Sequence, residues 1–581
     1  MSERATETFD LIVVGSGAGG LSTAVTAAHQ GLKVLVLEKE AQFGGTTAWS
    51  GGWMWIPRNP LAVAAGIDEP IEKPLSYLLH ELGAQFDEAR ACHYLTHAPR
   101  MVSFFQRHTA LRFIDGNAIP DFHGKTEDAA LGGRSVCAAP FDGRRLGARM
   151  AQLKPPLRET TLWGMGIASG AELRHFMNAT RKLSSFLHVT GLVLRHWRDL
   201  LVHGRGMRLV NGNALVAALA VSALDAGASI RVNASVQSLL TDENGRVIGV
   251  RLNDGQSVRA TCGVMLACGG FPHDVARRQA LLPHAPTGQE HWSAAPSGNT
   301  GDGLRLGESA GGVVAADLLQ AAALAPVSLL QRSDGSVAHF PHLLERGKPG
   351  LIAVTAAGKR FTNEANSYHD FMQSLLAATP AGEPVQAWLL CDHGFIRRYG
   401  LGAAKPAPMP LSNLLASGYL KRGSTLNALA QACGIDAAAL AQTAERYAHM
   451  AVAGKDEDFG KGETAYNRMQ GDVALTQVQG YANPCMAPLG AGPYYAVKVV
   501  PGSLGTFAGL KVNAHAQVLD EQSQPIPGLY AGGNDMASMM GGNYPSGGIT
   551  LGPAMTFGFL AAEHAAGCAD EPVTESDKDK K

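Results

Sequence analysis

The sequence predicts an α/β chain: a parallel-sheet domain of the β-α-β kind, made from two separated stretches, with an α+β lobe inserted between them. Three observations predict it. Residues 9–14 (FDLIVV) are an apolar, β-rich run that enters GSGAGG, and a small-residue helix and a second apolar run at 34–37 come within about 30 residues. Near the other end, residues 528–534 (GLYAGGN) repeat the pattern of a buried run that stops in glycines. Between residues 324 and 504 the pattern changes to short strands, Ala-rich helices and Pro-rich loops.

The length supports more than one unit, because 581 residues exceed a single core at about 100–200 residues per domain. The expected division is 1–323 for the first part of the sheet domain, 324–504 for the inserted lobe, 505–569 for the second part, and a solvated tail at 570–581. A net charge of −1 leaves no basic surplus to neutralise phosphates, so nucleic acid is not an expected partner. The cysteines form no CxxC pair, and Cys262 and Cys268 share one apolar segment without a nearby histidine, so they read as reduced thiols rather than metal ligands. The N-terminus reaches a strand almost at once, without a signal segment, and the chain has no run of about 18 apolar residues. A cytoplasmic protein without a transmembrane segment is expected.

Each residue of the first motif has a physical reason. Gly15 permits the tight turn, Gly17 lets the backbone approach a pyrophosphate, and Gly20 lets the helix lie close to the strand. Ala18 and Gly19 lie among these glycines, ahead of a helix read over residues 21–30 whose N-terminal N–H groups face negative charge. Glu38, with Lys39 after it, ends the second run, where a carboxylate accepts hydrogen bonds from ribose hydroxyls. Strand, turn, helix, strand and acid in this order indicate dinucleotide binding, without separating FAD from NAD.

A second glycine-rich loop just after the acid makes that choice. Gly44-Gly45-Thr46-Thr47 and Ser50-Gly51-Gly52 resemble the GG(S/T)(T/S)xxSGG stretch of the FAD-dependent fumarate reductase and succinate dehydrogenase flavoprotein superfamily. The resemblance implies FAD in a discontinuous Rossmann-like domain, with Gly45, Thr46, Thr47, Ser50, Gly51 and Gly52 along the pyrophosphate and the isoalloxazine. A strand read over residues 230–236 would end at Val236 beside the adenine. Gly269 and Gly270 would close a buried strand, and Gly533 and Asn534 would return the chain to the ribityl and phosphate groups. Asp302 opens a helix, as a plain cap or as a flavin contact. The last helix would start over residues 548–551, with Ile549 and Leu551 near the flavin pyrimidine.

Two further segments select the chemistry. GKRFTNEANSY carries Tyr368 where the fumarate reductases have a catalytic arginine, and GGNYPSGG carries Tyr544 where they have a second substrate arginine. Losing both guanidiniums argues against a dicarboxylate, since that fork-to-carboxylate pairing is what clamps a dianion. Two phenols beside a flavin suit a neutral ketone. Here the chain resembles the 3-ketosteroid Δ1-dehydrogenase group, through SGGWMWIPRNP, PFDGRRLG, HGRGMRLVNGNALVAAL, FGKGETAYNRMQGD, YYAVKVVPGSLGT and NYPSGGITLGPAMTFG, which span nearly the whole chain. The resemblance implies a substrate-binding cap, a small apolar steroid-like ketone, desaturation of its ring A with FAD as hydride acceptor, and an external electron acceptor. Tyr544 and the N–H of Gly548 would hold the ketone oxygen, and Tyr368 would be the base, its phenol helped below its ordinary value near 10.

One position departs from the group. A PDYY-like segment with a further active-site tyrosine reads Pro120-Asp121-Phe122-His123 here, which makes His123 a candidate replacement in the proton relay. The related Δ4-(5α) oxidation, an enone or fumarate-type reductase, and a flavin carrier without turnover stay open as alternatives. Residues 175–208 mix charges with Phe, Leu and Trp and read as a domain-packing helix rather than an interfacial one, with peripheral membrane association left open.

Overall fold

The computed structural model describes residues 7–567, so the tail expected at 570–581 lies outside the described residues. The main sheet has eight strands. Its centre is parallel: Pro525–Ala531, Ser257–Leu266, Glu7–Val14, Val34–Leu37 and Ser229–Arg231 lie side by side in that order. The short strand Gln517–Leu519 pairs antiparallel with Pro525–Ala531, and a meander of Val236–Thr241 and Val247–Leu252 runs onto the free end of Ser257–Leu266. Strands Glu7–Val14 and Val34–Leu37 are buried through their apolar residues, as a parallel sheet covered on both faces requires. Helices Ala18–His29, Asn211–Asp225 and Leu551–Ala565 cover it, and all three are built mainly of buried small and apolar residues.

The first and last parts of the sequence therefore share one sheet. The strand read over residues 230–236 is two strands, Ser229–Arg231 and Val236–Thr241, separated by a turn in which Asn233 adopts a positive φ of 54°. The last helix begins at Leu551 rather than Gly548, because residues 547–550 form a turn around Gly548.

Between these parts, Leu351–Val354, Ala387–Asp392, Tyr494–Val499 and Leu420–Gly423 form a four-stranded antiparallel sheet. Helices Tyr368–Ala378, Leu426–Cys433 and Ala437–Ala453 accompany it. Its apolar core also takes in Phe271, Leu282, Ala285 and Leu304, which precede residue 324 in the chain. The ion network Arg360, Glu364, Asp456 and Lys461 is buried beside this sheet, and neighbouring opposite charges hold the Glu364 carboxyl down at about 2 despite its burial.

Helices Ala171–Asn178 and Leu183–His203 stand apart from both sheets. Leu183 is 74% exposed, Leu187 60%, Trp197 48% and Leu201 89%, so the expectation of an ordinary packing helix is not met: most of its apolar side chains face outward.

Candidate active site

One cavity of about 1220 Å³ runs from the glycine turns to the inserted sheet. It exceeds the ordinary range of about 300–1,000 Å³ for a single small-molecule site, which leaves room for a dinucleotide and a substrate together.

At the dinucleotide end, the sequence dictates the shape of the wall. Gly15 has φ +105°, and a Cβ there would lie 2.1 Å from the Ala267 carbonyl of the neighbouring strand. A Cβ on Gly20 would lie 2.1 Å from the carbonyl of Gly15, so the helix can sit this close only as glycine. Gly17 is the N-cap of Ala18–His29, contributes no side chain there, and the first turn carries no acid. That end opens on the cavity through Gly17, Ala18 and Gly19, ready for an anion. Thr47 Oγ1 accepts the Ala18 N–H at 2.9 Å, while Asn299 reaches across 253 residues of sequence to Thr46 Oγ1 at 2.9 Å and to the Gly269 carbonyl at 3.0 Å. Gly45, Ser50, Gly51, Gly52, Val236, Asp302, Gly533, Asn534 and Leu551 line the same space, whereas Gly20, Gly270 and Ile549 stand behind the wall.

Two acids stand on this wall with partners that the sequence did not reveal. Glu38 lines the cavity and is buried, which raises its pKa; Ser16 Oγ donates to it, and so does the Glu40 N–H at 2.9 Å. Asp302 does not cap its helix, whose N-cap is Gly301. Its carboxylate binds Lys39 Nζ at 2.6 Å and lies 3.4 Å from Arg305. Asp535 was not anticipated. Wholly buried, it accepts the N–H groups of Cys268 and Gly270 and so joins the glycine turns that end two neighbouring strands, and burial raises its carboxyl to about 6. A single Asp after GGN carries no sequence signal for this.

At the other end, four aromatic rings meet. Tyr368 opens helix Tyr368–Ala378 just after the N-cap Ser367, whose hydroxyl accepts the Asp370 N–H at 3.1 Å. Tyr544 sits in the loop before Gly548, pinned where the Tyr77 hydroxyl and the Phe122 N–H both donate to the Pro545 carbonyl, at 2.7 and 2.9 Å. The two tyrosine rings pack edge to face with centroids 4.9 Å apart. Phe122 stacks on Tyr544 at 5.8 Å, meets Tyr368 at 5.8 Å and lies 4.3 Å from Tyr466. All four line the cavity. Tyr466 is the functional candidate that sequence reasoning passed over, although it lies inside the FGKGETAYNRMQGD stretch. Gly548 has φ +97°, and a Cβ would lie 2.7 Å from the Met54 backbone. Its carbonyl accepts Trp55 and Gly552, while among the described residues no acceptor meets its N–H.

The electrostatics keep these phenols protonated. Burial, then the neighbouring phenols of Tyr544 and Tyr466, pushes the Tyr368 hydroxyl well above its ordinary value, and the Arg346 guanidinium opposes this only in part. Burial also raises Tyr544. The expectation of a phenol eased toward phenolate is thus reversed for the resting site.

His123 does not line the cavity. Its Nδ1 meets Glu81 and its Nε2 meets Asp370 at 3.0 Å; burial disfavours the charge, but the two carboxylates hold the imidazole protonated to about 10. Glu81 also takes Asn543 Nδ2 at 3.0 Å. His123 therefore ties the loop bearing Tyr544 to the helix bearing Tyr368, instead of presenting a ring to the substrate.

The chain matches the FAD binding domain family over residues 10–551. It is 38% identical over 560 residues to the 4-oxocyclohex-2-ene-1-carboxylate 5-dehydrogenase of Sinomonas cyclohexanicum, covering 96% of this chain and 93% of the relative. It is 35% identical to the 3-oxosteroid 1-dehydrogenase of Mycobacterium tuberculosis, covering 96% and 98%. The crystal structure of 3-ketosteroid Δ1-dehydrogenase from Sterolibacterium denitrificans in complex with 1,4-androstadiene-3,17-dione superposes with a TM-score of 0.88 at 36% identity, over 97% of this chain and 100% of that one. An FAD-binding wall, a phenol pair in place of guanidiniums and these relatives agree: the chain belongs to the FAD binding domain family, within its 3-ketosteroid Δ1-dehydrogenase group.

Proposed function

We propose that the protein is an FAD-dependent dehydrogenase that introduces a carbon–carbon double bond beside a ring ketone, Δ1 in ring A of a 3-ketosteroid. The observation that carries this reading is the edge-to-face pair Tyr368 and Tyr544 on the same cavity as Gly548, whose N–H meets no acceptor among the described residues. Tyr544 and that N–H bind the ketone oxygen and stabilise the charge it gains as the adjacent carbon loses a proton. Tyr368 takes that proton after releasing its own, and burial makes this release unfavourable near neutrality. Phe122 supplies no hydroxyl, so Tyr466, packed against it, is the remaining phenol of the site. FAD, when bound, supplies the two-electron acceptor, and an external acceptor restores it. Residues 324–504 act as the substrate cap over the cofactor domain. Product identification after turnover of a saturated-ring-A 3-ketosteroid tests this: a Δ1 product supports it, and a Δ4 product or no product refutes it.

Among the described residues no helix is long and apolar enough to cross a membrane. We propose that the enzyme instead rests on a lipid surface through Leu183–His203. Phe186, Val193 and Leu194 of this helix line the cavity while Leu187 and Leu201 face outward, which suits an apolar substrate entering from lipid. Co-sedimentation with phospholipid vesicles, abolished by Leu187→Glu with Leu201→Glu, is the expected result; equal binding by the variant would refute it.

A further inference from the structure

Three successive carbonyls lead into the helix of Tyr368, and buried side chains hold all of them. Arg346, wholly buried in the short turn Glu345–Gly347, donates through Nη1 to the Glu364 carbonyl at 2.9 Å and through Nη2 to the Asn366 carbonyl at 3.2 Å. Its Nε donates to the His342 carbonyl at 3.0 Å, which ties the guanidinium to its own turn. The Ala365 carbonyl, between the other two, accepts Asn467 Nδ2 at 2.9 Å and Gln470 Nε2 at 2.8 Å. Both come from helix Ala465–Gln470, which also carries Tyr466. The guanidinium lies 4.8 Å over the ring of Phe371, about one turn beyond Tyr368 in the same helix. Arg346 therefore grips the chain on both sides of Tyr368.

Carbonyl oxygens can be met by neutral amides, as Asn467 and Gln470 meet Ala365. At residue 346 the donor is a cation instead, and among the described residues it makes no ion pair. Burial works against its charge, while Tyr466, Glu345, Asp370 and Glu364 face it and work in favour. Each of those acids has another partner: Glu345 meets His342 at 2.6 Å, Asp370 meets His123 at 3.0 Å, and Glu364 meets Arg360 at 2.8 Å and Lys461 at 3.2 Å. A buried guanidinium is costly, so its use here calls for a gain that a neutral amide would not bring. Tyr368 supplies one. Of the groups facing its hydroxyl, Tyr544 and Tyr466 oppose ionisation and Arg346 favours it.

We infer that Arg346 is the positioning residue of the base: it fixes the segment that delivers Tyr368 and lends the positive charge against which the Tyr368 phenolate forms. This rests on Tyr368 as the base of the proposed function and adds the group that prepares it. A charge-assisted contact with the phenolate is stronger than any contact with the phenol, so the guanidinium acts on the proton-removal step rather than on substrate binding.

The test follows turnover of a saturated-ring-A 3-ketosteroid against pH in Arg346→Gln, Arg346→Lys and Asn467→Ala, with flavin absorbance reporting that each variant is folded with FAD. Arg346→Gln removes the charge. It should lower kcat about tenfold or more with KM nearly unchanged, and the alkaline climb should level off about one pH unit later. Arg346→Lys keeps a charge and should keep the parent's profile, losing only part of kcat because one ammonium does not match the fork. Asn467→Ala loosens the Ala365 carbonyl without touching a charge, and should lower kcat with the profile in place. Parental kcat and profile in Arg346→Gln overturn the inference, and so does an equal displacement in Arg346→Lys or Asn467→Ala. Loss of FAD from both Arg346 variants also overturns it, by making the side chain one of the fold alone. A flat profile in the parent, or a climb that Tyr368→Phe retains, overturns the base assignment itself.

Discussion

Replacing Tyr544 with phenylalanine removes one hydroxyl, with its hydrogen-bond interactions to Tyr368 and Thr550, and keeps the ring. The ring is 3% exposed and keeps its packing against Tyr368, Phe122 and Phe507, at centroid distances of 4.9, 5.8 and 5.9 Å. The loop keeps its anchors at Pro545, which accepts from Tyr77, and at Asn543, which donates to the Glu81 carbonyl. The lost donor is one of two directed at the developing enolate oxygen, and removal of one such donor costs about 10²–10³ in kcat, or about 2.7–4 kcal/mol. The assay is steady-state turnover of a ketone substrate with an artificial electron acceptor, beside flavin content and anaerobic reduction kinetics. The variant should bind FAD as the parent does and reduce it at least about a hundredfold more slowly. A rate within about threefold of the parent would refute the assignment of the ketone oxygen to this hydroxyl.

Because burial raises Tyr368, the reactive phenolate grows with pH, so kcat should climb from neutrality into the alkaline range, and Tyr368→Phe should abolish that climb; a flat profile in the parent would contradict a phenolate base. His123→Gln should destabilise the fold in a pH-dependent way. The folded pKa of His123, about 10, lies above the unfolded value near 6.5, so its contribution is full below about pH 6.5 and is lost as pH rises toward 10. Melting temperatures should therefore differ most near pH 6, by an amount corresponding to about 2–3 kcal/mol, and a gap that does not narrow with pH would contradict the bridge. Gly15→Ala puts a Cβ 2.1 Å from the Ala267 carbonyl at a positive φ, and should yield a chain that is insoluble or lacks FAD; a stable yellow variant would show that the turn is not so constrained.

The sheet domain was legible because its signals are local. A buried run, a glycine turn and a helix fall within one β-α-β unit, and Gly15 and Gly20 are required by contacts to neighbouring backbone. The short strands and Ala-rich helices of the inserted lobe were likewise visible as short apolar runs and small-residue periodic segments. Features that depend on distant partners escaped. Nothing adjacent to Asp535 announces that its oxygens collect two N–H groups from residues more than 260 positions earlier. His123 looked like a relay because it comes directly after Phe122, yet the cavity receives Phe122, while Glu81 and Asp370 claim the imidazole on the other side of the backbone. The outward turn of Leu183–His203 was also hidden, since charges interrupting the apolar face read as a packing helix until its neighbours are known.

Anaerobic mixing of the purified flavoprotein with a neutral ring ketone bears most directly on the claim that phenols and an amide, rather than guanidiniums, bind the substrate. A saturated-ring 3-ketosteroid should bleach the flavin, while succinate should leave it oxidised. Bleaching by succinate with no response to the ketone would contradict it.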